Sequence, residues 1–285
     1  MRVPVVVRKL APGLLAVSLA VGSGSSALAQ NDFYETERGT IYLGVFVTDR
    51  ATDTRLDSDS GVGTDIDFEE DLGFDRSMSV ARLGAGFYLQ PRQRIDFGVF
   101  DLSRDATRRI DETIDFGDQT FTFDTLIEST YDLTITKVDY TFAPLSRPRG
   151  YLGLNAGLYI ASTEVVLTAV GQNIQTTRES EDLTAPLPVF GFRGEYEVTD
   201  RITLGGAAQY FKIDIGDTSG SLRDIYIAAD YGFGEDEKFA VGLAYNEVSM
   251  LIRAEEEDGF RGELDWGYDG WLVYFKTGFG SNANL

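Results

Sequence analysis

Asp57-Ser58-Asp59-Ser60-Gly61 sets two carboxylates two residues apart ahead of a glycine, hard oxygen donors of the kind that collect Ca²⁺ or Mg²⁺. A calcium loop requires a third ligand before the glycine and a closing Glu at fixed distance, and neither is present. The same stretch carries Asp53, Asp65, Asp67, Glu69, Glu70, Asp71 and Asp75 against Arg55 and Arg76, and Glu255-Glu256-Glu257-Asp258 repeats the pattern late in the chain. Both read as solvated surface charge, and no metal site is assigned. Paired acids also carry out acid–base hydrolysis, but nothing singles out two of the 46 Asp and Glu residues. The chain has no His and no Cys, so Ser-His-Asp and Cys-His nucleophiles and His-bearing metal sites cannot be built. A non-enzymatic protein with no cofactor is expected.

A second set of charges is spaced differently. Arg82, Lys137, Asp139, Arg193, Glu195, Asp224, Asp230 and Lys276 each fall within regularly alternating runs, on the face opposite the apolar residues, as does Gln209. In a strand, alternate residues face opposite sides, so these charges share a face opposite a greasy one. Confined together, they must neutralise one another or line a path for solutes, because bare charge in a narrow interior is costly.

The elements that position them repeat from Thr40 to Phe279. Ala156, Leu158 and Ile160 interleave with Asn155, Gly157 and Tyr159; Ile225, Ile227, Ala229 and Tyr231 interleave with Asp224, Tyr226, Ala228 and Asp230. Short polar turns fall at 91–94, 145–150, 199–201 and 234–238, and longer polar segments near 51–76, 105–126, 169–184, 215–221 and 253–264. Four short turns and five long loops make ten strands, at 40–50, 78–90, 94–104, 129–143, 151–167, 186–198, 201–214, 222–233, 238–252 and 265–279. The fold class is all-β: a closed antiparallel up-and-down transmembrane β-barrel. Twelve strands result if these pieces, Asp65 to Phe68 and Thr113 to Asp115 with Thr120 to Phe123, cross the bilayer instead of extending hairpins above it; eight ranks third.

The lipid-facing set is Ala81, Leu83, Ala85, Phe87 and Leu89; Leu152, Leu154, Ala156, Leu158 and Ile160; Phe190, Phe192 and Tyr196; Ile225, Ile227, Ala229, Tyr231 and Phe233; Phe239, Val241, Leu243 and Tyr245; and Trp271, Val273, Phe275 and Phe279. Tyr140, Phe142, Tyr151, Tyr196, Phe233 and Phe239, close to the short turns, are expected to form an interfacial girdle. Gly84, Gly86, Gly153, Gly157, Gly191 and Gly242 fall on inward positions, making room for long charged side chains.

Arg2, Arg8 and Lys9, the apolar run Leu14 to Val21 and the small residues of Ala27-Leu28-Ala29 read as a secretory signal over residues 1–29, cleaved before Gln30. The remaining 30–285 form one barrel domain. Removing the three leader bases leaves 22 basic against 46 acidic residues, a net charge of −24, which excludes a nucleic-acid partner.

The chain resembles the outer-membrane β-barrel proteins of Gram-negative bacteria, in architecture over the leader and 40–279. Glu70-Asp71-Leu72-Gly73-Phe74, followed by Gln90-Pro91-Arg92-Gln93-Arg94-Ile95-Asp96-Phe97, is similar to uncharacterised small barrels of that group. Gly270, Val273 and Phe275, continued by Phe279, match the spacing of a last strand read by the outer-membrane assembly machinery, although Gly280 to Leu285 follow it. The resemblance implies a cell outer membrane location, contact with lipid and lipopolysaccharide, and a monomer. Barrel enzymes of that membrane rely on a histidine that this chain lacks. Ten strands sit near the filled end of the size range. The expected role is structural or surface interaction with a filled or narrow lumen; the alternative is a small porin-like channel.

Overall fold

The computed structural model describes residues 38–57, 62–117, 119–170, 178–216, 218–234, 238–255 and 261–280. Ten long strands make the wall: β1 (Gly39–Leu56), β3 (Ser77–Gln90), β4 (Gln93–Arg109), β7 (Leu126–Arg147), β8 (Gly150–Val170), β9 (Arg178–Thr199), β10 (Ile202–Ile215), β11 (Thr218–Phe233), β12 (Phe239–Glu255) and β13 (Arg261–Phe279). Each pairs antiparallel with the next, and β1 pairs β13 without a break from Gly39↔Phe279 to Leu56↔Gly262. That last pairing joins the two ends of the ribbon, so backbone donors and acceptors are met within the wall and no edge is left to lipid.

The outward positions carry the grease. Leu83, Leu154, Leu158, Phe190, Ile227, Leu243, Trp271 and Val273 are all exposed, as are Ile41, Leu43, Val45 and Val47 on β1. On β13 the apolar outward run extends from Trp271 to Phe279. At ~3.4 Å per residue this is about 27 Å of strand. Tilted by ~40°, it spans about 20 Å, close to the ~25 Å apolar band of membrane barrels. Rings gather at the short-turn end: Phe87 packs on Phe279 and Phe97, and Phe239 on Phe233 and Phe275. Tyr140, Phe142 and Tyr196 point outward there. Tyr151 does not. It turns inward, buried, with its hydroxyl donating to Glu195 Oε1 at 3.0 Å. Its neighbour Leu152 faces out, so alternation alone directs Tyr151 into the lumen.

Above the belt the strands run on further than the alternation of grease. β1 continues six residues beyond the expected 50, and β9 begins at Arg178 instead of 186. β10 ends at Ile215 and β11 begins at Thr218, the two paired, so the expected loop at 215–221 is a two-residue connection. The strand count stays at ten. β2 (Asp65–Asp67) pairs back on Asp53 to Arg55, extending the first hairpin, while β5 (Ile114–Phe116) and β6 (Gln119–Phe121) pair only with each other.

The interior has two chemically different halves. Toward the short turns it is polar. Toward the loops it is an apolar core, in which wall residues Phe46, Phe100, Leu102, Leu133, Leu167, Leu222, Met250 and Trp266 meet Ile66, Phe68, Leu72, Ile114, Phe116 and Phe121 from the first two loops. The expectation of one wet face along every strand therefore holds for the inner half alone. In the outer half the loops fold back onto the wall and bury it.

Candidate functional site within the barrel

The inward charges of the wall form two linked networks in the polar half. Lys137 on β7 is the centre of the first. Its Nζ lies 3.0 Å from Asp139 Oδ2 and 2.9 Å from Asp224 Oδ2, and donates to Gln209 Oε1 at 2.7 Å. Gln209 donates on to Asp139 Oδ1 at 2.7 Å and to Asn155, and Tyr159 donates to Asp224. Arg82 reaches the same carboxylate through Asn246: Nη1 donates to Asn246 Oδ1 at 2.7 Å, and Asn246 Nδ2 donates to Asp224 Oδ1 at 2.6 Å. The Arg82 guanidinium also lies over the rings of Phe46 and Phe100, at 5.7 and 5.5 Å, where the polar half meets the apolar one.

Nearer the short turns, Arg193 holds Glu195 Oε1 at 3.0 Å and approaches Asp96 Oδ2 at 3.7 Å, while Arg94 donates to Asp96 Oδ1 at 2.9 Å. Lys276 donates to Asp230 Oδ2 at 2.8 Å, with Tyr274 on the other oxygen of that carboxylate. Every member is on a strand, at an inward position fixed by the pleat. Small residues allow the approach: a Cβ at Gly86 would strike Arg94, at Gly157 Asp139, and at Gly242 Tyr274 and Asp230. The polar half holds a cavity of about 110 Å³ lined among others by Tyr42, Lys137, Glu195, Thr203, Asp230 and Lys276. Ligand pockets for drug-sized molecules run ~300–1,000 Å³.

The outer half is closed by a latch. Glu69, in the turn after β2, enters the barrel and accepts from Arg104 Nη1 at 2.6 Å; its other oxygen accepts from the Thr52 backbone N at 3.0 Å. Arg104 Nη2 donates to Thr52 Oγ1 at 2.8 Å, and the guanidinium lies 5.0 Å over both Phe74 and Tyr131. Leu72 and Phe74 of the acidic motif are buried, and Phe68 stacks on Phe74 at 5.5 Å. Gly73, between them, has φ +78, a conformation that an L side chain resists.

All eight singled-out charges lie in the polar half: Lys137, Asp139, Asp224 and Arg82 in the central network, Arg193, Glu195, Asp230 and Lys276 nearer the turns. Arg94 and Asp96, which the sequence puts at the end of a turn and the start of the third strand without marking them as network members, belong with them; their inward parity with Gly98 and Phe100 is the signal. Glu69 and Asp57 are corrections to the reading of the first loop as solvated charge. Glu69 is buried in the latch, and Asp57, also buried, accepts from Arg55 Nε at 2.8 Å. Asp67 Oδ1 caps the turn by accepting from the backbone N of Glu69 and Glu70. Residues 58–61 of the candidate cation loop, residues 256–258 of the late acidic run and residues 1–29 lie outside the described residues. Among the described residues no group of three acids converges as a metal site.

No protein-family model matches the chain, and no curated protein sequence matches it. Solved structures do. The outer membrane protease OmpT from Escherichia coli superposes with a TM-score of 0.54 at 12% identity, covering 88% of this chain and 99% of its own. The toluene transporter TodX of Pseudomonas putida matches with a TM-score of 0.37 at 6% identity, over 86% of this chain and 91% of its own. Ail, the attachment invasion locus protein of Yersinia pestis, matches with a TM-score of 0.31 at 9% identity, over 82% and 99%. The likeness to OmpT is one of fold: by fold, the chain is an outer-membrane β-barrel of the Gram-negative type.

Proposed function

We propose that this protein is a closed, non-conducting and non-enzymatic barrel of the outer membrane, whose loop end is the surface it offers to the outside. The observation that carries the reading is the filled outer half. Phe68, Leu72, Ile114, Phe116 and Phe121 from two loops are packed against the wall, and the Glu69–Arg104 pair ties them down. In the polar half, Arg82, Lys137, Arg193 and Lys276 are satisfied by Asp139, Glu195, Asp224 and Asp230 or their amide intermediaries, which suits a structural network better than a selectivity lining. The lack of histidine supports a role outside hydrolysis. Residues 1–29 serve as a cleaved export signal, the assembly machinery inserts 30–285 as a single domain, and the monomer contacts lipid and lipopolysaccharide through its apolar belt.

The test is conductance. Purified protein in planar bilayers is expected to give no steady single-channel steps. Removal of 62–76, which takes out the latch and half of the plug, is expected to produce them. Steps from the intact protein would sink the closed-barrel reading and favour the small-solute channel.

A further inference from the structure

Among the described residues, Arg50 is a buried cation that the latch and the two networks do not use. It points inward from β1 just above the lipid belt, 4% exposed, and its Nε, Nη1 and Nη2 are all buried without a hydrogen-bond partner. Burying a guanidinium without a counter-charge costs several kcal/mol, so a native chain keeps such a group only where something answers it. Its surroundings do not. Thr52, two residues on along the same face, gives its hydroxyl to Arg104 and its backbone N to Glu69. Both oxygens of Glu69 are engaged, one by Arg104 and one by Thr52. Two guanidinium groups thus share the chamber with one carboxylate, an excess of one positive charge.

Of the other buried polar atoms left without a partner nearby, Arg104 Nε and Trp266 Nε1 can only donate, and the Tyr131 hydroxyl can donate or accept. Trp266, opposite Thr52 on β13, has its indole Nε1 buried without an acceptor. An indole N–H is a donor only, and a guanidinium carries five donors and no acceptor. Unanswered donors that outnumber acceptors around a net positive charge call for an anion. Tyr131, Trp266 and Tyr268 belong to the same buried cluster as the loop residues Phe68 and Leu72, so an occupant beside Arg50 is small and held away from bulk water.

We propose that the outer chamber of the barrel is an anion site, in which the Arg50 guanidinium holds one small monovalent inorganic anion of the halide class beneath the plug. The anion completes the charge balance that Glu69 leaves open. It makes plug closure depend on halide and not on ionic strength alone.

Bromide is the probe. Crystals of the full-length mature barrel grown in sodium bromide are expected to show an anomalous peak within about 3.5 Å of the Arg50 guanidinium, in the range of charge-assisted hydrogen bonds to a large anion. In detergent, the urea midpoint for loss of Trp266 burial is expected to rise with sodium bromide or chloride above its value in sodium gluconate at equal ionic strength. Arg50→Gln keeps an amide donor without the charge, and is expected to abolish both the peak and the halide-specific rise while remaining heat-modifiable on gels. Arg149→Gln, which removes an exposed charge near the short turns, retains them. Water density at Arg50 with no anomalous peak, Arg50 paired to Glu69, or an equal rise in gluconate would each overturn the proposal. These outcomes are separate from conductance, since a barrel can stay closed without an anion.

Discussion

Gly73 and Glu69 show how single residues decide whether the lumen is shut. At φ +78, Gly73 lets the chain reverse between Leu72 and Phe74 so that both side chains enter the core. A Cβ there would stand 3.1 Å from Arg108 Cδ and would take an L residue into the left-handed region, a penalty of ~1–2 kcal/mol. Gly73→Ala is therefore expected to loosen the plug by about that amount without changing the wall, seen as faster hydrogen exchange over 66–76 with unchanged exchange in β8. Glu69→Gln acts through charge. It leaves the buried Arg104 guanidinium without its carboxylate, and removing one partner of a buried pair costs ~3–5 kcal/mol. In a Trp271→Phe background, where Trp266 is the remaining indole, Glu69→Gln is expected to red-shift the emission and lower the urea concentration at which the plug opens. An unshifted spectrum would show that the plug stays shut without the latch.

At the scale of the elements, hydrogen bonding and greasy alternation mark different things. Val47 is the last large apolar outward residue of β1, but pairing with β13 continues to Leu56, because above the lipid the outward face needs no apolar side chains and the ladder closes regardless. The ten strands and their faces were therefore legible in the residues, and the true strand ends were not. Tyr151 was legible too, by its parity with Leu152; its nearness to a turn suggested the girdle instead. The plug was hidden. Ile66, Phe68, Leu72 and Phe74 keep one parity, but Glu70 and a turn interrupt it and acids surround it, so only the folded loop reveals that they share a face. The upper ends of β12 and β13 carry a pH dependence of their own. Glu263, above the belt, accepts from Arg253 Nη2 at 2.9 Å and also from Arg261; the Arg253 hydrogen bond, with the charge of both arginines, holds its carboxyl below the usual range. A depressed folded pKa contributes stability that is fully present above the unfolded value of ~4.3 and is lost as the pH falls through the folded one. Exchange of the amides near Arg253 and Glu263, corrected for intrinsic rate, is expected to quicken below pH ~4. In Glu263→Gln the same amides should lack that acid dependence. Both arginines are partly exposed, so the effect is modest and weakens with salt.

For the whole molecule, the belt defines a plane, and depth along a strand sets the cost of a charge. β8 carries the comparison within one element: Leu158 and Glu164 are both exposed on its outward face, six residues or ~20 Å of strand apart. Leu158 lies among Leu154, Ile160 and the β9 ring Phe190, whereas Glu164 stands opposite Asp132 of β7 and Asp182 of β9, where water must be present. A basic residue facing mid-bilayer costs ~2–4 kcal/mol and one near the interface ~0–1. Leu158→Arg is expected to reduce the folded, heat-modifiable fraction recovered from membranes. Glu164→Arg is expected to leave it unchanged or raise it, since the substitution places a cation at the strand position paired with Asp132. A barrel that tolerated both equally would have no lipid contact at Leu158. The filled interior makes the contrast sharper: with Tyr159 and Val165 packed on the inward side of the same strand, neither arginine can escape into the lumen, and each must be met by whatever lies outside.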